Sequence, residues 1–493
     1  MKRLLRMILS RTSVIMMLLL LQIVFFFWLV NFLSQYAYVQ TINYALSVII
    51  VIYLIYKEEN PIYKLTWIVP ILIFPLFGGI FYLFYRQQNF SKKVLKRYTK
   101  IDQERRSWIK DIKEISSDKI PSYLLRQRWP HYQATQTTFL PSGESMFESM
   151  MKDLEAAKTY IFLEFFIINP GSMWDMILDI LKKKVKEGVE VTFIYDDFGS
   201  TNLPYRYSNT LQSFGIKAVP FNPMRLHLNF AMNYRDHRKI IVIDGKIGYT
   251  GGINIGDEYI NKISPFGHWL DAGIRLEGDA VWTLTISFLE NLRFQTGKEI
   301  NYLHYKGNHH VESKGLVIPF SDAPLDRELV SKDSYLSLIQ EARHSIDITT
   351  PYLIIDNELM TALKLAAKSG VKVRIIIPYV PDKRLVFMVT ETYVPELVDA
   401  GVEIYRYTPG FIHSKIMIVD HKHAMIGTCN LDFRSLYLHF EHSVYLFQTP
   451  SIEKMKDFFN ETVLKSEMIK TYSSRNIFYR ITQIILRGFS SLM

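Results

Sequence analysis

The chain has 493 residues, room for two or three domains, and its 48% hydrophobic and 14% aromatic content can fill several cores and also supply membrane segments. Its 58 basic and 48 acidic residues leave +10, which suits an anionic membrane surface or a nucleic acid without choosing between them. The single cysteine, Cys429, excludes an internal disulfide framework and a cysteine-rich zinc site.

Residues 1–85 read as a membrane anchor of two to three transmembrane segments. Val14–Leu33 is uncharged over 20 residues and follows Lys2, Arg3, Arg6 and Arg11. Tyr36–Tyr56 and Leu65–Tyr85 are each uncharged over 21 residues. All three match the ~20 residues a helix needs to cross the hydrocarbon core. No small-residue cleavage site follows the first, as a signal peptide requires. Pro70, Pro75 and the Gly78-Gly79 pair bend the third or make it re-entrant. If all three cross, six cations (Lys2, Arg3, Arg6, Arg11, Lys57, Lys64) face eight from Arg86 to Arg106 across the bilayer. The positive-inside tendency then places the large domain in the cytoplasm of a multi-pass cell-membrane protein. Residues 86–120 read as a basic juxtamembrane linker, a solvated helix that also draws anionic headgroups at about 1 kcal/mol per cation.

Residues 121–315 and 316–475 then repeat one plan. In the first, helix Glu144–Lys158 leads to strand Tyr160–Ile168, and helix Trp174–Lys186 leads through Gly188-Val189 to a strand ending at Asp196. In the second, helix Ser334–Arg343 leads to strand Ser345–Thr350, and helix Glu358–Lys368 leads through Gly370-Val371 to strand Arg374–Ile377. Strands alternating with helices predict an α/β fold of two tandem lobes, each a mixed sheet flanked by helices and related by a pseudo-twofold. Residues 476–493 form a basic amphipathic helix that either docks on the protein or lies in the membrane interface.

Each half ends in one short pattern. His237-Arg238-Lys239, Asp244 and Gly251-Gly252-Ile253-Asn254 match His413-Ser414-Lys415, Asp420 and Gly427-Thr428-Cys429-Asn430 in every spacing. His-x-Lys opens an apolar run, so imidazole and ammonium share one face of a strand. Asp244-Gly245 signals a hairpin turn, and Asp420-His421 is a lesser signal at the matching place. The return strand brings a small-residue turn (Gly252, Thr428) and an amide (Asn254, Asn430) back beside the pair. Two such halves pressed together suit a phosphodiester. Lysines and amides hold its oxygens, one neutral histidine attacks phosphorus, and the other, protonated, serves the leaving alkoxide. Lysines supply the positive charge, so no metal or other cofactor is expected. Asp271 and Glu441 are the candidates for orienting the rings, while Asp244 and Asp420 suit bracing the turn or the lysines. A metal site at His304, His309 and His310 is a minor alternative, and Cys429 suits packing.

The pattern resembles the phospholipase D superfamily, and most closely the cardiolipin synthases, from the second hydrophobic segment to the carboxyl end. The resemblance is closest from Gly410-Phe411-Ile412-His413-Ser414-Lys415 through Gly427-Thr428-Cys429-Asn430-Leu431-Asp432-Phe433-Arg434-Ser435. It also shows in Tyr195-Asp196-Asp197-Phe198-Gly199-Ser200 and Thr350-Pro351-Tyr352. It implies phospholipase D-like lobes that join two phosphatidylglycerols into cardiolipin and glycerol at an anionic bilayer, without a metal. It also implies an active-site set of His237, Lys239, Asp244, His413, Lys415 and Asp420, with His237 as nucleophile and His413 as acid. Two departures stand out: His439 where relatives often show Asn, and no Arg between Trp269 and Asp271 where one is common. Hydrolysis by water, or phosphatidyl transfer to another alcohol, uses the same motifs. A nuclease suits the charge but not the membrane segments, so no nucleic acid is expected, and a scaffold would not require two intact motifs.

Overall fold

The computed structural model describes residues 35–73, 92–108, 118–223, 233–326, 328–470 and 476–492, with isolated positions between 17 and 32 and at 78–79, 82 and 115–116. The first lobe contributes β1 (Thr135–Leu140), β2 (Tyr160–Phe165), β3 (Glu190–Asp196), β4 (Lys217–Phe221), β5 (Ile240–Ile243), β6 (Ile247–Gly251) and β7 (Gly273–Gly278). They lie in the order β1-β7-β6-β5-β2-β3-β4. The second contributes β8 (Leu316–Asp322), β9 (Ser345–Thr349), β10 (Lys372–Pro378), β11 (Glu403–Tyr407), β12 (Ile416–Val419), β13 (His423–Gly427), β14 (His439–Phe447) and β15 (Ser466–Met468). Their order, β8-β14-β13-β12-β9-β10-β11-β15, is the first order repeated with one strand added at the edge. In both, the strand after the first helix runs parallel to the next strand and antiparallel to the motif hairpin.

Period-two alternation divides the apolar side chains between two faces. Ile240 and Val242, with Ile416 and Ile418, enter one core shared by the lobes. Ile241 and Ile243 face a core under helices Gly143–Ala156 and Ser172–Lys186, and Met417 and Val419 face its counterpart in the second lobe. Helix Val281–Thr296 packs into the shared core and is buried on nearly every side, which is why no amphipathic stripe marks it in the sequence.

Helix Lys92–Trp108, expected as part of a solvated linker, docks on the body instead. Arg97 Nη1 donates to Phe294 O at 2.9 Å, Lys100 pairs with Glu299 at 3.2 Å, and Arg105 stacks over Trp129 at 4.1 Å. Among the described residues one helix, Ala37–Tyr56, is long and apolar enough to cross a membrane, and Ile42, Val48, Ile49, Ile52 and Ile55 along it are exposed. Helix Pro61–Ile73 follows, too short to cross alone; the first hydrophobic segment and the rest of the third lie outside the described residues but for isolated positions. The carboxyl-terminal helix Ile477–Gly488 does dock, through Tyr479 on Glu391 and Gln483 on the Met388 carbonyl, yet leaves Ile477, Phe478, Ile481, Ile484 and Ile485 exposed.

The motif aspartates end the hairpins. Asp244 and Gly245 have φ of 53° and 64°, as do Asp420 and His421 at 51° and 54°, the left-handed pair a tight hairpin turn requires. Asp244 accepts from the backbone N–H groups of Lys158, Thr159 and Tyr160 at 2.7–3.0 Å, and Asp420 from those of Arg343, His344 and Ser345 at 2.7–2.9 Å. Each carboxylate thereby ties the end of its hairpin to the helix-to-strand junction next to it. Burial raises both carboxyl groups, but the Thr159 hydroxyl at Asp244 and the backbone N–H donors at both outweigh it and hold both below the usual aspartate range. The variant D420N, with one acceptor oxygen left for three donors, is expected to lose about 1–3 kcal/mol of stability in urea denaturation at pH 7. The difference should shrink as pH falls below the unfolded carboxyl value of about 3.9, where the wild-type carboxylate protonates too.

Candidate active site

The two His-x-Lys triplets occupy equivalent crossings between the lobes. Arg235–Asp236 pairs in parallel with His439-Phe440 of β14, in the other lobe's sheet, and His237 N donates to Phe440 O at 3.0 Å. Three residues later the chain has joined its own sheet as β5. In the second lobe, Gly410–Ile412 pairs in parallel with His268–Leu270 of the first, His413 N donates to Leu270 O at 2.7 Å, and β12 begins at Ile416. The triplets therefore precede the strands and do not open them, because their neighbours on the amino-terminal side belong to the opposite lobe.

This exchange brings each ring to a carboxylate of the opposite lobe. His237 Nδ1 lies 3.0 Å from Glu441 Oε1 and 3.1 Å from Oε2, and His413 Nδ1 lies 2.6 Å from Asp271 Oδ2. Burial pushes both carboxyl groups up, yet the facing imidazoles outweigh it, and Glu441 sits well below the usual range. Both are therefore anionic acceptors, both Nδ1 atoms carry the proton, and each neutral ring keeps its lone pair on Nε2. Burial, followed by the motif lysines, lowers the rings themselves, His413 to about 4 and His237 well below its ordinary value.

Lys239 and Lys415 are 1% and 2% exposed, and each Nζ donates to the carbonyl of its own motif histidine, at 2.6 Å for Lys239. Burial lowers them to about 7 and about 8, against the opposing pull of Glu441 and Asp271. Arg238, between His237 and Lys239, faces the other way, with Nε 2.8 Å from Glu164 and 2.9 Å from Asp236. Asp196, in the first lobe's Tyr195-Asp196 run, accepts from Asp236 N at 3.0 Å and from Phe198 N and Gly199 N at 2.9 Å, which fixes the approach to His237.

Several expected roles are corrected by these contacts. Asp244 and Asp420 spend their carboxylates on backbone at the far ends of β5 and β12, so the active-site set implied by the resemblance loses both. Thr428 hydrogen-bonds Glu441 Oε2 and the His442 backbone, so it steadies the carboxylate and does not offer a free donor for phosphate. A side chain on Gly252, at the matching place, would begin 2.1 Å from Asp271 Oδ1, and its N–H is taken by Ala272 O at 3.1 Å. Asn254 accepts from Ile167 N at 3.1 Å and gives one amide hydrogen to Tyr259 Oη at 2.9 Å, leaving a single donor; Asn430 is buried in the second lobe. His309 and His310 pair with separate carboxylates, Glu277 at 3.1 Å and Asp279 at 2.8 Å, and His304 packs on Tyr305, so the three do not converge. Cys429 is buried, and its thiol is pushed up by that burial.

Sequence reasoning missed the rings around the histidines. Trp269 packs on His413 with centroids 5.1 Å apart, and His439, at the equivalent place two residues before Glu441, packs on His237 at 5.4 Å. Phe166 closes on His237 at 5.1 Å and Tyr259 on His413 at 5.8 Å. Position 439 carried a signal, as a departure two residues from a candidate carboxylate. Phe166 carried none.

A family model described as cardiolipin synthase, phospholipase D-like domain matches residues 150–263 and 335–463, and a phospholipase D-nuclease N-terminal model matches 45–87. A cardiolipin synthase of Alkalihalophilus pseudofirmus is 37% identical over 94% of this chain and 95% of its own length. The chain belongs to the cardiolipin synthase family. A second cardiolipin synthase, from Geobacillus sp. (strain WCH70), is 37% identical over 91% and 92% of the two chains. An uncharacterized protein of Streptococcus mutans serotype c, similar at 41% identity over 85% and 94%, adds no activity of its own. The crystal structure of phosphatidylserine synthase from Haemophilus influenzae Rd KW20 aligns over 72% of this chain and 93% of its own with a TM-score of 0.55 at 15% identity, a likeness of fold.

An anionic diester held between the lysines would raise both ammonium groups. Binding of a short-chain anionic phospholipid is expected to take up more protons between about pH 7 and 9, where the lysines and His413 can all gain charge, than at pH 6, where both lysines are already charged and only His413 has a proton to gain. Calorimetry in buffers of different ionisation enthalpy measures the uptake.

Proposed function

We propose that the chain is a phosphatidyltransferase that joins two phosphatidylglycerols into cardiolipin and glycerol. The observation that carries this reading is the reciprocal pairing, in which each lobe's carboxylate holds the other lobe's imidazole in the Nδ1–H form. Family membership supplies the substrate class.

In this reading His237 Nε2 attacks the phosphorus of the first lipid, and the bond to its glycerol headgroup breaks. The departing oxygen takes a proton from His413, whose imidazolium form the bound diester favours. A phosphatidyl-His237 remains, and Lys239 and Lys415 balance the charge on its oxygens. The primary hydroxyl of the second lipid then gives its proton to His413 and attacks phosphorus, which releases cardiolipin and restores both rings. Glu441 and Asp271 are positioning groups that keep the nucleophilic lone pair on Nε2. With helix Ala37–Tyr56 in the bilayer and the apolar face of Ile477–Gly488 at its surface, the enzyme stays on the membrane that holds both of its lipids.

Purified enzyme in detergent with a chelator is expected to convert phosphatidylglycerol to glycerol and a four-chain lipid; phosphatidic acid as the main product would indicate a hydrolase. H237A and H413A should each abolish turnover. E441Q, with its geometry kept but the proton no longer held on Nδ1, should lose about a hundredfold or more in kcat. For topology, we propose a multi-pass anchor with the lobes in the cytoplasm, so protease added outside sealed right-side-out cells should leave the lobes intact, and their digestion there would reverse the orientation.

A further inference from the structure

The ring of His439 has no place in the transfer reaction, yet it sits 9% exposed beside it. Neither of its nitrogens has a hydrogen-bond partner among the described residues. Burying an imidazole with both nitrogens unsatisfied is costly, and a nonpolar ring would fill the same space without that cost. The equivalent position of the first lobe holds Trp269, which leaves one buried ring nitrogen without a partner where His439 leaves two. His439 Nδ1 lies 3.7 Å from Glu441 Oε1, beyond hydrogen-bond length, and Glu441 Oε1 lies 3.0 Å from His237 Nδ1. One ligand atom from each of the three residues falls within 4.8 Å of the other two.

Those separations have a chemical meaning. A tetrahedral zinc with bonds of about 2.0–2.2 Å needs donor atoms about 3.3–3.6 Å apart, and two imidazoles with one carboxylate are a common zinc set that leaves a fourth position for water. Two of the three edges here bracket that value, and modest rotation about the side-chain bonds brings in the third. We propose that His237, His439 and Glu441 form an inhibitory site for a borderline transition-metal ion of the zinc class.

The inhibition follows from tautomerism. The ion takes the place of the Nδ1 proton of His237, and that proton moves through solvent to Nε2. The ring, neutral when coordinated through Nδ1, then carries its one proton on Nε2. The metal thus removes the lone pair that attacks phosphorus, while Glu441 changes from proton acceptor to ligand. No bond to carbon is made or broken, and a chelator restores the starting state. Lys239 and Lys415 oppose the incoming charge, so the ion is held less firmly than in a structural zinc site and binding is reversible. The proposal rests on the catalytic reading only in naming the consequence; the site itself follows from the three side chains.

The test uses the full-length enzyme in detergent, stripped by chelator and titrated with Co2+ as a visible probe. One equivalent should give ligand-field bands of four- or five-coordinate cobalt in the wild type, and H439N should lose them. With Zn2+, the half-inhibiting concentration should rise by about tenfold or more in H439N relative to its own metal-free rate. Absence of the cobalt bands in the wild type, their persistence in H439N, or equal zinc inhibition of the two overturns the proposal. If H439N does not fold, X-ray absorption on the zinc-loaded wild type decides, since two imidazoles and an oxygen donor support the site and one imidazole or none refutes it. The spectra need no substrate, so an enzyme that makes no cardiolipin yet binds cobalt here would sink the function and spare the site.

Discussion

Everything at the centre of this molecule depends on two backbone hydrogen bonds, His237 N to Phe440 O and His413 N to Leu270 O. Each holds the chain as it leaves a strand of the opposite lobe, β14 in one case and His268–Leu270 in the other, for its own sheet. Because the crossing is three residues long, the first and third side chains fall on one side, and the middle one, Arg238 or Ser414, falls on the other. The same bonds place Glu441 and Asp271, one residue beyond the accepting carbonyls, next to the rings. Burying two ammonium groups costs several kcal/mol each unless opposite charge accompanies them. The two carboxylates provide it, so the empty cluster is close to neutral. An arriving phosphodiester then supplies the negative charge that the depressed lysines lack.

The pseudo-twofold is broken where chemistry requires it. Asp271 is the shorter carboxylate and approaches a glycine, Gly252, whose missing side chain leaves it room. Glu441 is longer by one methylene and meets Thr428, whose hydroxyl fixes its second oxygen. Arg238 anchors the first triplet to Glu164 and Asp236, whereas Ser414 makes a hydroxyl contact with Thr349 at 2.9 Å. Equivalent backbones therefore present two histidines with different neighbours, a condition for one to act as nucleophile and the other as acid and base.

Much of this was legible in the sequence. The repeat, the strand before each motif and the helices around it are read from periodicity: Ser172–Lys186 and Asn357–Lys368 begin within two residues of expectation. Asp271 and Glu441 were visible as carboxylates near the motifs, but which ring each would meet was not, since pairing across lobes is a property of topology and leaves no local pattern. The resemblance places Asp244 and Asp420 in the active-site set, whereas the residues alone suit bracing the hairpin turn, the role their contacts fill. Thr428 and Gly252 looked like phosphate contacts because small residues at a turn suit both uses, and only the position of the carboxylate decides. Helix Lys92–Trp108 looks solvated in the sequence because its charges stand there without their partners on Val281–Thr296, Glu290 for Arg105 and Arg293 for Glu104.

The crossed carboxylates also bear on how such a chain could arise. A single lobe on its own has an imidazole but not the group that orients it, so half of this protein could work only as a pair of identical subunits. In that pair both rings would have the same surroundings, and neither could specialise. Joining the halves in one polypeptide keeps the borrowed contacts and frees each copy to change alone, so that Trp269 and His439 need no longer be the same residue.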